Sequence, residues 1–229
     1  MTHPAKSLLV GISGLAGSGK DTVANLLGKH HGFVSVSLAD PMKRILQDLF
    51  AFSEDQLWGP SERRNVPDRR YPRTKDGLDE GYLTPRHALQ QLGTEFGRAC
   101  YQDVWVEHAI RVHGKLQQGS CYYDKVSGLR FCASVQGVMV PKTHVVIPDV
   151  RFHNELAVLK KAGAKMLRVV RPGAGLTGPE GFHTSETEQQ GILDNEFDHV
   201  IDNSGSLDDL KTAVDQIVAT WSATKETES

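Results

Sequence analysis

A glycine-rich segment near the N-terminus has the residue types and the spacing of a phosphate-binding loop. Residues 14–20 read Gly-Leu-Ala-Gly-Ser-Gly-Lys, which fits the G-x-x-x-x-G-K pattern, and a short apolar run precedes them. Glycines suit such a loop because no Cβ obstructs backbone N–H groups that turn toward an anion. The residues predicted to bind nucleotide phosphates are Gly14, Ala16, Gly17, Ser18, Gly19 and Lys20. The alternative is a glycine-rich turn without a ligand.

The two residues after the loop depart from the usual pattern. Asp21 stands where Ser or Thr normally supplies a hydroxyl to Mg²⁺, and Thr22 comes next. Asp21 could hold the metal through water, or Thr22 could take over the hydroxyl role, and both also count as nucleotide-binding candidates. A structural interpretation is that Asp21 is an acidic residue in the first helical turn, where the helix dipole favours it.

A second group of charged residues follows an apolar run at 145–148. Asp149 ends this run, and Arg151 and Glu155 lie on the turn and helix that follow. A carboxylate at the carboxyl end of a core strand is suited to hold Mg²⁺ directly or through water. We predict Lys20, Asp21 and Arg151 as catalytic residues and Asp149 as a metal and substrate ligand. Asp149 as a helix cap, and an Arg151–Glu155 surface ion pair, are the alternatives.

A third stretch, residues 84–98, predicts a helix with an unusual stripe. Arg86 and Gln90 share this stripe with Gly93 and Gly97, where an amphipathic helix would place leucines. A guanidinium can bind a phosphate through charge-assisted hydrogen bonds, and a side-chain amide can form hydrogen bonds with the edge of a base. Close helix packing at the glycines is the alternative. Trp105, downstream, is either a stacking platform for a base or a core aromatic.

Short apolar strands alternate with amphipathic helices along the chain. This order predicts an α/β fold, with a parallel sheet covered by helices on both faces. We expect one domain over residues 1–223 and a frayed tail at 224–229. The expected additions are a surface excursion at 53–84, a hairpin at 121–140 and a Gly/Pro-rich lid at 172–190. Arg171 lies where the lid begins, and Arg168 is interpreted as a solvent-facing strand residue.

The composition excludes several classes of protein. The 229 residues carry 26 Lys and Arg against 28 Asp and Glu, so the net charge is −2. This balance argues against a dedicated binder of nucleic-acid polymers or of anionic membranes. Three cysteines without a C-x-x-C pair argue against a zinc module or a disulfide scaffold. We expect a cytoplasmic protein without a membrane span, and a homodimer is an open alternative to a monomer.

Several motifs occur in an order that resembles the deoxynucleoside monophosphate kinases of bacteriophage type. These kinases lie within the P-loop nucleoside monophosphate kinase fold, which adds NMP-binding and lid segments to the sheet. The matching segments are the loop with Lys-Asp-Thr at 20–22, Ala-Asp-Pro-Met-Lys at 39–43, the Pro-Arg segment at 85–95, Pro-Asp-Val-Arg-Phe at 148–152 and His-x-Ser-Glu at 183–186. The resemblance spans residues 8–218.

The resemblance implies an activity and a set of ligands. The activity is ATP- and Mg²⁺-dependent phosphorylation of a deoxynucleoside monophosphate (dNMP) to the diphosphate. Asn203 would lie over the adenine, although residues 202–206 also fit a plain turn and cap. The implied substrate-binding residues are Arg86, Trp105, Asp149, Arg151 and Glu155, and Asp40, Lys43, Gln90 and Arg171 complete the predicted substrate-binding set. A phage origin would place the protein in the host cytoplasm. Two alternatives stay open: a kinase of another phosphorylated metabolite, and a nucleotide-binding regulatory module.

Overall fold

The computed structural model describes residues 7–75, 78–123, 130–132, 134–135, 138–139, 143–175, 188–189 and 191–223. The chain forms two compact units. The first unit comprises the described parts of 1–37, 106–122 and 130–229, and the second comprises 38–105 together with residue 123.

A five-stranded parallel sheet is the centre of the first unit. Its strands are β1 (Leu9–Ser13), β2 (Phe33–Ser35), β9 (His144–Ile147), β10 (Lys165–Val170) and β11 (His199–Asp202). They lie in the order β11–β10–β1–β9–β2, so β1 is the middle strand. The helices of this unit are α1 (Lys20–His31), α5 (Val104–Gln117), α6 (His153–Lys161) and α7 (Leu207–Ala223). The first two residues of α5 belong to the second unit.

Helices cover both faces of this sheet, as the sequence predicted. On one face, Val10 and Ile12 of β1 pack in a cluster with side chains of α1 and α7, such as Leu27 and Val214. On the other face, Leu159 of α6 lies against Gly11. All residues of β1 are buried, which explains its uninterrupted apolar sequence. The predicted α/β fold class is confirmed.

The strand order places a topological switch point between β1 and β9. The chain leaves β1 toward β2 on one side and leaves β9 toward β10 on the other. Because such connections are right-handed, the helices after β1 and β9 lie on opposite faces and leave a crevice at the carboxyl ends of these strands. The glycine loop follows β1, and Asp149 follows β9, so both lie at this crevice.

The second unit contains regular elements that the sequence analysis did not predict. Residues 53–84, predicted as a surface excursion, form α3 (Glu54–Trp58), a 3₁₀ turn (Ser61–Asn65) and the antiparallel pair β3 (Asp68–Lys75) and β4 (Leu78–Leu83). Ser53 begins α3 with a capping box to Gln56, and Asp68 anchors β3 through hydrogen bonds from Arg70.

The helix predicted over residues 84–97 changes its pitch. After α2 (Asp40–Phe50) and β4, helix α4 (Pro85–Gln90) continues as a π-helix over Gln91–Arg98. A π-helix has i→i+5 hydrogen bonds and therefore a wider turn. The predicted stripe assumed α-helical spacing throughout, so Gly93 and Gly97 do not continue the line set by Arg86 and Gln90.

Several predicted features lie partly outside the described residues. In the 121–140 region, β5 (Cys121–Tyr123) pairs with β6 (Arg130–Cys132), and β7 (Ser134–Val135) pairs with β8 (Val138–Met139). The predicted lid is described only at 172–175 and 188–189, and the tail at 224–229 is outside the described residues. Among the described helices, none has the length and apolar character needed to cross a bilayer. The extent of the domain stays a prediction.

Candidate active site

In the first unit, two backbone carbonyl groups of the glycine loop accept hydrogen bonds from residues outside the loop. The Gly175 N–H donates to the Ala16 carbonyl at 2.8 Å, and Asn203 Nδ2 donates to the Ser18 carbonyl at 2.8 Å. Gly19 has a φ of 99°, and a Cβ there would lie 2.3 Å from Asn203 Nδ2. Only glycine therefore fits this position.

The groups that remain in the loop suit an anion. The first N–H groups of a helix have no intrahelical acceptor. Helix α1, which begins at Lys20, has no side-chain cap that would bind them. Ser18 Oγ is buried and has no hydrogen-bond partner among the described residues. Free N–H groups, a buried hydroxyl and the positive end of a helix dipole make a cradle for phosphate oxygens. These features fit the predicted nucleotide phosphates.

Three charged side chains meet beside this cradle. Lys20 is 7% exposed, and its Nζ lies 3.5 Å from Asp149 Oδ1. Arg151 Nη2 lies 2.7 Å from Asp149 Oδ2. Burial alone would raise the pKa of Asp149, but the charges of Arg151 and Lys20 outweigh it and lower that pKa. Asp149 is therefore ionised at neutral pH and lies between two cations.

The backbone at Asp149 has an unusual conformation. Its φ is 69°, in the left-handed region that non-glycine residues seldom occupy, although Asp and Asn tolerate it better than most. The next residue is fixed to β1, because the Val150 N–H donates to the Ile12 carbonyl at 2.8 Å. The switch point thus contains an aspartate with a strained backbone just after the carboxyl end of β9, and backbone strain of this kind is common at functional sites.

Glu155 stabilises the turn on which Arg151 lies. It is 5% exposed, and its Oε2 accepts hydrogen bonds from the N–H groups of Arg151 at 2.9 Å and Phe152 at 3.2 Å. Glu155 therefore caps helix α6, and the Arg151 side chain pairs with Asp149. A contact of Glu155 with substrate stays a prediction.

The other predicted residues of the first unit surround the loop. Asp21 is exposed and Thr22 half-buried in the first turn of α1, next to Lys20. Arg171 is exposed on the turn that leads to Gly175, whose N–H contacts the loop. Arg168 is not solvent-facing, since its side chain is 14% exposed and its Nε lies 3.2 Å from Asp194 Oδ1.

The second unit contains the remaining predicted residues. Arg86 donates from Nη2 to Ser61 Oγ at 3.0 Å and from Nε to Asn65 Oδ1. Both partners are uncharged, and no carboxylate pairs with Arg86 among the described residues. Gln90, one turn further along α4, is half-buried. The structure thus presents a guanidinium held by uncharged partners.

Three further residues of this unit make internal contacts. Asp40 is buried and accepts a hydrogen bond from Trp58 Nε1 at 3.1 Å, and Lys43 Nζ lies 5.6 Å from the Trp58 ring centroid. Trp105 Nε1 donates to the Gly93 carbonyl at 3.0 Å, and its ring lies against Gly97. The aromatic ring has a packing role here, and contacts of these residues with substrate stay predictions.

Two supporting contacts were not predicted from the sequence. Gln189 is 2% exposed and donates to Ser13 Oγ and to the Val150 carbonyl, both at 3.1 Å. Asn203 was predicted to lie over adenine, yet its side chain holds the Ser18 carbonyl. The bonds to Ser13 and Ser18 join residues 176 and 185 positions apart, and the bond to Val150 joins residues 39 apart, so no local spacing reveals these pairs.

Comparisons with known proteins agree with the motifs. A family described as deoxynucleotide monophosphate kinase matches residues 129–214. A protein of Acanthamoeba polyphaga mimivirus, provisionally named a deoxynucleotide monophosphate kinase, is 29% identical over 211 residues, which are 90% of this chain and 94% of the viral protein.

Similar solved structures include two small-molecule kinases. One is shikimate kinase from Aquifex aeolicus, with a TM-score of 0.45, 11% identity, and coverage of 95% of this chain and 98% of that one. Another is dephospho-CoA kinase from Campylobacter jejuni, with a TM-score of 0.44, 15% identity, and coverage of 94% and 98%. The resemblance to the deoxynucleotide monophosphate kinases, which the motifs predicted, is confirmed by the family match and the viral relative.

Proposed function

We propose that this protein is a phosphotransferase that converts a deoxynucleoside 5′-monophosphate and ATP to the diphosphate and ADP. One observation carries the proposal: Lys20, Asp149 and Arg151 meet beside the glycine loop at the switch point, in a chain similar to deoxynucleotide monophosphate kinases. This is the position where open α/β sheets bind ligands.

The loop is suited to hold the phosphates of ATP. Its N–H groups and the buried Ser18 hydroxyl would donate hydrogen bonds to the phosphate oxygens, and Lys20 would contact the β- and γ-phosphates. Asp149, Asp21 and Thr22 are the residues that would hold Mg²⁺, which in such sites neutralises phosphate charge. Asn203 supports this role by fixing the loop backbone.

The transfer itself needs little covalent work from the protein. A new bond forms between an acceptor phosphate oxygen and the γ-phosphorus, while the bond from that phosphorus to the β–γ bridging oxygen breaks and its electron pair stays on ADP. The acceptor oxygen is already anionic, so no general base is required. Lys20 and Arg151 stabilise the charge that shifts during transfer, and catalysis rests on position and electrostatics.

The acceptor would be bound by side chains of the second unit. Arg86, which pairs with no carboxylate among the described residues, is suited to bind the 5′-phosphate, and Gln90 can donate to and accept from a base edge. Asp40, Lys43 and Trp105 are the other proposed substrate-binding residues of this unit.

A coupled assay of ADP release tests the proposal. It compares the four dNMPs, their ribose counterparts and phosphorylated metabolites without a base, each with ATP and Mg²⁺. We expect turnover that depends on a dNMP. Lys20→Ala should lower kcat by about 100-fold or more, because loss of a preorganised charge has effects of that order. Lys29→Ala, on the exposed last turn of the same helix, is the matched control.

Two outcomes would contradict the proposal. Turnover with a phosphorylated metabolite and not with any dNMP would indicate a different small-molecule kinase. ATP hydrolysis that is insensitive to every acceptor would indicate a regulatory nucleotide-binding module.

A further inference from the structure

Two glutamines hold the same pair of strands together, one at each end. At the carboxyl end, Gln189 Nε2 donates to Ser13 Oγ and to the Val150 carbonyl, both at 3.1 Å. At the amino end, Gln117 Nε2 donates to Ser7 Oγ at 2.9 Å and to the Thr143 carbonyl at 2.8 Å. In each case one amide bridges a serine at an end of β1 and a carbonyl at the same end of β9.

The two contacts use the same donor chemistry. Each uses both N–H bonds of a primary amide, one toward a hydroxyl and one toward a backbone carbonyl. Ser13 and Gln189 are almost fully buried, with exposures of 1% and 2%, so removing this donor leaves buried acceptors unpaired and destabilises the fold. Gln117 and Ser7 are half-buried, and the Thr143 carbonyl also accepts a hydrogen bond from Ser7 Oγ. Loss of Gln117 should therefore destabilise the fold less than loss of Gln189.

The two glutamine contacts differ in the residues that lie next to them in the chain. Ser13 directly precedes the glycine loop, and Val150 directly follows Asp149. Val150 is held on both sides, since its N–H donates to the Ile12 carbonyl at 2.8 Å and its carbonyl accepts from Gln189. The residue before it has a φ of 69°, a conformation that persists only when its surroundings enforce it. No part of this arrangement exists around Gln117.

We propose that Gln189 is a positioning residue that acts through Val150 to keep the Asp149 carboxylate between Lys20 and Arg151. Gln117 is its structural counterpart, with no role in the reaction. The catalytic part of this inference rests on the proposed function. Without the bond from Gln189, the peptide after Val150 loses its anchor, so Arg151 and the Asp149 carboxylate with which it pairs shift relative to Lys20.

The matched pair Gln189→Met and Gln117→Met tests this inference. Both variants keep the side-chain length and lose the donors, so both should lower the Tm, and Gln189→Met should lower it more because its site is more deeply buried. Only Gln189→Met should also lower kcat, by about 10- to 100-fold, the usual effect of losing a group that orients an active-site ligand. Equal kcat values for the two variants would overturn the proposal.

A second variant isolates the bond to Val150. In Gln189→Glu, the carboxylate can still accept from Ser13 but cannot donate to the Val150 carbonyl. We expect the same loss of kcat as in Gln189→Met. A kcat equal to that of the wild type would show that the bond to Val150 does not position Asp149.

A double-mutant cycle separates this inference from the proposed function. In an Asp149→Asn background, Gln189→Met should have little further effect on kcat, and the two changes should be non-additive in Tm, whereas Gln117→Met should add independently. The Tm cycle requires no substrate, so it stands even if the wild type phosphorylates no dNMP. Additive Tm changes for Gln189 and Asp149 would overturn the inference by themselves.

Discussion

At the scale of single residues, Arg86 shows how hydrogen bonds to uncharged partners leave a cation available to bind an anion from outside the protein. Ser61 and Asn65 fix the direction of the guanidinium through hydrogen bonds but do not neutralise it. A carboxylate in the same place would hold the side chain more firmly but would compete with an incoming anion for the guanidinium. The choice of neutral partners fits a residue that binds a phosphate from outside the protein.

This arrangement predicts opposite effects on binding and on stability. Arg86→Ala should raise the KM for the dNMP by about 10- to 100-fold, equivalent to about 1.4–2.8 kcal/mol, and leave the KM for ATP unchanged. Asn65→Asp should also raise the KM for the dNMP, because the new carboxylate competes for the guanidinium, while the Tm stays the same or rises. Steady-state kinetics and thermal unfolding measure these effects.

Arg69→Ala is the control for this prediction, since Arg69 is an exposed arginine of the same unit. A purely structural role for Arg86 would give the reverse pattern, in which Asn65→Asp preserves the KM for the dNMP.

At the scale of elements, the π-helix after α4 brings two glycines against different neighbours. A Cβ at Gly97 would lie 2.2 Å from Cζ2 of Trp105, while one at Gly93 would lie 2.9 Å from Sδ of Met42. An indole ring hydrogen-bonded to the Gly93 carbonyl cannot move easily. A methionine side chain is flexible and can adapt.

Alanine substitutions should separate these two environments. Helix propensity favours alanine over glycine by about 1 kcal/mol at either position. Gly97→Ala should nevertheless reduce the free energy of unfolding by about 1–3 kcal/mol, because overpacking against a fixed ring has costs of that size. Gly93→Ala should have a smaller effect, and urea denaturation measures both. Equal effects at the two glycines would contradict this account of the packing.

At the scale of the whole molecule, ligand binding should be visible as added stability. A ligand that binds only the folded state stabilises it by about 2.7 kcal/mol at a concentration 100 times its Kd. A non-hydrolysable ATP analogue with Mg²⁺ should therefore raise the Tm of the wild type in calorimetry. It should have little effect on Lys20→Ala, which loses the charge that contacts the phosphates. A similar rise for adenosine, which has no phosphates, would place the main contacts away from the loop.

The sequence predicted the centre of this molecule better than its periphery. The glycine loop, the strand that ends at Asp149 and the helices around them follow from local spacing, and the structure confirms these elements. The hairpin within residues 53–84 was not predicted because Arg69, Arg70 and Pro72 lie on exposed positions of β3, which hides the alternation of a strand. The bonds of Gln189 and Asn203 depend on distant residues, so no local pattern indicates them.

The position of β1 in the middle of the sheet has a consequence for synthesis of the chain. Its partners are β9, where Leu9 pairs with Val145, and β10, where Val10 pairs with Lys165. On the ribosome, the strand that leads into the phosphate loop therefore has no neighbour until most of the chain has emerged. Late pairing of this kind slows folding and leaves apolar strands unprotected. Nascent chains that stop short of residue 165 should bind chaperones that recognise exposed apolar segments.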